Sequence, residues 1–71
     1  MKYFEIEDIP FKEVETATGY KSVRIDVDKD GNVFEREPNQ AERRLLSAPI
    51  LRNEISFSIA AVLAKDPMYS W

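Results

Sequence analysis

Two runs of alternating residues meet at Lys29-Asp30-Gly31-Asn32, and this junction limits the possible folds more than any other feature of the chain. In the first run Lys21, Val23, Ile25 and Val27 point one way while Tyr20, Ser22, Arg24 and Asp26 point the other, the period of a half-buried strand. Its β-branched residues suit a pleated surface. Asp-Gly supplies residue types that tolerate positive φ, so the chain reverses there and Val33 to Arg36 returns as a partner strand. A β-hairpin over residues 20–37 is the expected centre of the fold, with the face carrying Tyr20, Ser22, Arg24 and Asp26 in solvent.

The flanking segments extend this pattern. Lys2 to Glu7 alternates with Phe4 and Ile6 on one face. Pro10 cannot donate to a ladder, so Phe11 to Glu15 reads as a separate short extended or irregular segment, closed by a turn at Thr16-Ala17-Thr18-Gly19. Pro38 ends the sheet and Asn39 caps a helix, with Glu42 completing a capping box ahead of Leu45 and Ala48. Pro49 breaks that helix, and a second is predicted over 50–65, stopped by Asp66-Pro67. Residues 55–59 carry both signals, because Ile55, Phe57 and Ile59 alternate with serines while the following alanines favour helix. Drawn as a helix, Leu51, Ile55, Ile59 and Val62 form one stripe with Leu63 at its margin, and Ile50, Phe57, Ala60, Ala61 and Ala64 gather opposite. The sheet can cover only one of these faces. The expected fold is α+β: an antiparallel sheet of about three strands (2–7, 20–28 and 32–37) followed by one or two C-terminal helices packed on it. Residues 1–71 form a single domain, β-rich over 1–37 and helical over 38–66, with an aromatic tail at 67–71.

Composition removes several classes of function. A 71-residue chain has a marginal core, and with neither cysteine nor histidine it has no disulfide staple, thiolate zinc site or Cys/His nucleophilic machinery. Small unstapled chains commonly gain stability by associating. The most apolar stretch, Ile55 to Ala64, is half the roughly 20 residues needed to cross a bilayer. The amino-terminal residues YFEIEDIP are acidic and lack an apolar signal core, so a cytoplasmic location is expected. Size and composition would suit a bacterial or phage accessory protein. Residues 1–37 carry ten acids against six bases, net −4, and residues 38–71 three acids against four bases, net +1. The acidic half disfavours a phosphate backbone as partner.

Residues Asp26 to Glu37, DVDKDGNVFERE, resemble the calcium loop of EF-hand proteins at every fixed position. Read that way, Asp26, Asp28, Asp30, the Asn32 carbonyl and Glu37 would be the ligands. An EF-hand needs a helix on each side, however, and here a strand-like run enters and Pro38 follows, so a hairpin turn with no metal or cofactor is expected. The carboxylate pairs Glu5 with Glu7 and Glu13 with Glu15 read as exposed strand faces, and no residue stands out as a nucleophile. Arg43, Arg44 and Arg52 form the one basic grouping, suited to an acidic protein or to phosphate. Met68, Tyr69 and Trp71 combine side chains typical of binding anchors, or alternatively complete the core.

These residues point to a small non-enzymatic protein-interaction module: an adaptor, inhibitor or assembly subunit that associates with its own copy or another protein. The expected contacts are Phe57, Ala61 and Ala64 on the last helix, the tail residues Met68, Tyr69 and Trp71, and Arg43, Arg44 and Arg52. Calcium binding through 26–37 and a nucleic-acid accessory role for the arginines are the alternatives. Membrane and small-molecule partners are not expected.

Overall fold

The computed structural model describes residues 2–65. It contains strands β1 (Lys2–Ile6), β2 (Ile9–Thr16), β3 (Gly19–Val27) and β4 (Val33–Arg36), helix α1 (Gln40–Ser47), strand β5 (Asn53–Ile55) and helix α2 (Phe57–Lys65). Among the described residues the five strands form one antiparallel sheet in the order β4-β3-β2-β1-β5. The fold is α+β as expected, but with five strands in place of about three.

Two corrections account for the extra strands. Residues 9–16 form a full strand, joined to β1 by the two-residue turn Glu7-Asp8, in which both residues have positive φ (51° and 67°). The Asp8 amide donates to Glu5 Oε1 at 3.0 Å and supports the turn. Ile6 and Ile9 flank this turn, so they are the hydrogen-bonded pair and the next residue, Pro10, has its ring nitrogen turned away from β1. Pairing with β3 begins only at Phe11 opposite Arg24, so proline interrupts no ladder bond. The second correction is at residues 50–56, predicted as helix. Asn53–Ile55 instead pairs with Tyr3–Glu5 at the sheet edge, and the helix starts at Phe57. The mixed signal over 55–59 thus reflects a strand ending and a helix starting within two residues.

The helices lie on opposite faces of the sheet. Register places Phe4, Phe11, Arg24 and Arg36 in one row on the first face. There Phe4, Ile6, Ile9 and Phe11 form a buried cluster against which Leu45, Leu46 and Ile50 pack. Tyr3, Lys12 and Val23 share the second face, over which α2 runs across β1, β2 and β3. Ala60 and Ala64 are buried there, and their small side chains let the helix sit close to the strands. A 71-residue chain therefore covers both faces of its sheet, which is how it obtains a core without staples. No helix among the described residues is long and apolar enough to cross a membrane.

Candidate functional site

The sequence places Arg24 on a solvated strand face; the structure buries it at 1% exposure, because α1 covers that face. A guanidinium out of water needs a counter-charge. Glu42, fully buried on the first turn of α1, supplies it. The Glu42 carboxylate accepts four hydrogen bonds: Arg24 Nη1 on Oε2, Arg36 Nη1 on Oε1 at 2.8 Å, Arg36 Nη2 on Oε2 at 3.0 Å, and the Asn39 amide on Oε1 at 2.8 Å. That fills the accepting capacity of a carboxylate. Arg36 also donates from Nε to Asp26 Oδ2 at 2.7 Å, and Arg24 from Nε to the Ile25 carbonyl at 3.1 Å. The Asn39 side chain accepts from the Glu42 amide at 2.9 Å, so the expected capping box is present and one residue both caps α1 and ties it to the sheet.

The charges follow from this geometry. Burial alone pushes the Glu42 carboxyl up, but the bonds from Arg36, Asn39 and Arg24 outweigh it and hold the group below its ordinary value. Arg36 is raised, chiefly by its bond to Glu42. Among the described residues no buried side-chain polar atom lacks a partner. This constellation is structural: its polar atoms are turned inward and used.

The calcium-like loop is organised in the same inward manner. Asp28 Oδ1 accepts from the amides of Asp30 and Asn32, both at 2.9 Å, and the Gly31 amide donates to the Asp28 carbonyl at 3.0 Å, with Gly31 at φ 82°. Asp26 is held by Arg36, and Glu37 by Lys21 at 2.8 Å. Lys21 also draws the Glu37 carboxyl below its usual range. The acids of the motif are thus divided between a turn and two strand-face ion pairs. Among the described residues no three carboxylates converge where a cation could be held. Glu13 and Glu15 do share a face and, with Lys2 and Tyr20, line a shallow depression of about 350 Å3. Glu5 and Glu7 do not form such a pair, because Glu7 lies in the turn.

The proposed contact residues separate on inspection. Ala64 is a core residue and Ala61 is half-buried, so the alanine side of α2 faces the sheet. Phe57 is 50% exposed and meets the Tyr3 ring edge-on at 5.4 Å. The outward apolar residues are Ile59 (49%) and Val62 (66%), on the stripe that the helical wheel set opposite the alanines. Leu51, 75% exposed, lies just before β5. Arg43 and Arg44 are exposed on α1, whereas Arg52 donates to the Leu46 carbonyl at 2.8 Å and stacks 5.0 Å over the Phe4 ring. Met68, Tyr69 and Trp71 lie outside the described residues. Ile59, Val62 and Leu51 were already apolar on the wheel; which stripe meets the sheet is decided by the small volume of the alanines, a signal the sequence does carry. Compared with protein-family models, with curated proteins and with solved structures, the chain matches none.

Proposed function

We propose that this chain is a non-enzymatic protein-interaction module that associates with a second copy of itself. The observation that carries the reading is the exposed apolar set of Leu51, Phe57, Ile59 and Val62 on a domain whose two sheet faces are already covered by its own helices. Where such residues form a contiguous patch on so small a domain, they offer an interface. The acids and arginines most suggestive of chemistry are used internally instead, in the Glu42 hub, the Asp28 turn and the ion pairs of Lys21 with Glu37 and of Lys12 with Glu35. A calcium role would need Asp26 and Glu37 to leave their cationic partners, and a nucleic-acid role rests on Arg43 and Arg44 alone once Arg52 is engaged with Leu46 and Phe4. A cytoplasmic accessory or assembly subunit fits this reading. The test is the solution mass by light scattering from low to high micromolar concentration. A mass that rises to a dimer or larger species supports self-association, and a monomer throughout overturns it.

A further inference from the structure

We propose that two copies join through the open edge of β5, antiparallel about a two-fold axis at Asn53, so that the sheets run on from one copy to the other. The inference rests on the self-association reading above and specifies its interface. Among the described residues β5 is an end strand of the sheet, and an unpaired strand edge is a template for another strand. In a pairing centred on Asn53, Arg52 lies opposite Glu54 of the second copy and Glu54 opposite its Arg52, while Leu51 lies opposite Ile55. Residues directly opposite in an antiparallel pair share a face, so each contact is side chain to side chain. The register thus forms two opposite-charge pairs and two apolar pairs from one short segment.

Glu54, Leu51 and Ile55 are available. Glu54 is exposed and has no ion pair among the described residues. Leu51 is 75% exposed, and Ile55 is half-buried. Phe57 and Ile59, the first and third residues of α2, follow β5 closely in the chain and are about half exposed. Arg52 is the one member with other work, since it donates to the Leu46 carbonyl at 2.8 Å and stacks on Phe4; it is exposed, and pairing with Glu54 of the second copy would draw it from these contacts. The opposite edge, β4, lacks this complementarity. Pairing β4 with itself about Glu35 would set Glu35 against Glu35, and Glu35 and Arg36 are already occupied by Lys12 and by Asp26 and Glu42.

A charge swap tests the register. Glu54→Arg sets arginine against arginine at both symmetric positions, Arg52→Glu sets glutamate against glutamate, and the double variant restores opposite charges in reversed order. Equilibrium sedimentation of the purified full chain should show each single variant weakening the dimer about tenfold or more, with the double variant returning most of the loss. Circular dichroism on each variant confirms that the monomer is folded. A wild-type dimer unaffected by Glu54→Arg, but broken by Val62→Asp, would overturn the β5 register while leaving self-association standing. A wild-type monomer up to high micromolar concentration would overturn both.

Discussion

The Glu42 carboxylate, on the first turn of α1, lies against the guanidinium of Arg24 from the middle of the sheet, with both side chains shut off from solvent. Removing one charge of such a pair leaves the other desolvated and unanswered. Glu42→Gln keeps the shape and loses the charge, so it should destabilise the fold by about 3–5 kcal/mol, a large share of the roughly 5–15 kcal/mol expected for a whole domain. Urea denaturation measures this directly. Replacing both partners with apolar residues, Arg24→Met with Glu42→Leu, should recover some of the loss, because no unpaired buried charge remains between them. A Glu42→Gln protein as stable as the parent would show that the pair is not what seats α1.

Stability should also fall in acid. The folded Glu42 carboxyl sits below its ordinary value of 4.5, so the folded state binds this proton less readily than the unfolded chain does. The contribution is therefore fully present above the unfolded value and is lost as pH falls through 4.5 towards the folded one. Glu37 shifts in the same direction, but its pair with Lys21 is exposed and should add little, and less still in salt. Denaturation midpoints between pH 7 and pH 3 should drop for the parent, and the drop should be much shallower in Glu42→Gln, which has no carboxyl there to protonate.

Local signals in the sequence were most reliable where one residue's backbone chemistry decided the outcome. Asn39 and Glu42 formed the capping box, and Asp30-Gly31 formed the turn, because caps and turns need no tertiary partner. Arg24 is the opposite case: its alternation is that of a strand, but the face it occupies becomes interior only when α1 brings Glu42 onto it. β5 was hidden because three residues are too few to show a period, and Asn53–Ile55 is a strand only through its pairing with Tyr3–Glu5. Pro10 argued against a strand, and only the hairpin register shows that its missing donor faces where no ladder bond is due. Of the proposed interaction surface, the two-sided apolar character of the last helix is legible in the sequence, whereas the sheet edge is not.

The turns offer an independent check. Glu7 and Asp8 both occupy left-handed backbone conformations that side-chain-bearing residues adopt at a cost. Asn-Gly is the preferred filling of such a turn, so Glu7→Asn with Asp8→Gly should raise stability by about 1 kcal/mol. Gly31→Ala should do the reverse by about the same amount, since its φ of 82° disfavours a Cβ although the surrounding space is open. Thermal melts of the two variants should move in opposite directions.

Calcium should leave the melting temperature where it is. Asp26 and Glu37 are already paired with Arg36 and Lys21, and Asp28 is spent on the amides of Asp30 and Asn32. A cation would have to displace these before any ligation could stabilise the fold. Melts in millimolar calcium and in chelator should coincide, while Asp28→Ala should lower both equally by loosening the turn. A rise with calcium that Asp28→Ala abolishes would restore the metal reading.

The two sides of α2 should respond oppositely to a change in side-chain size. Ala60 is fully buried where the helix crosses the sheet, so Ala60→Leu would force the layers apart at a cost of about 1–3 kcal/mol. Val62 lies on the outer side at 66% exposure, and Val62→Ser should change the stability of the monomer by no more than about 0.5 kcal/mol. Comparing the two by urea denaturation, at a concentration low enough to hold the chain monomeric, isolates the sheet-facing alanines from the outer stripe. If Val62→Ser proved the more damaging, α2 would have to lie on the sheet by its other face, and Ile59 and Val62 would no longer be available for a partner.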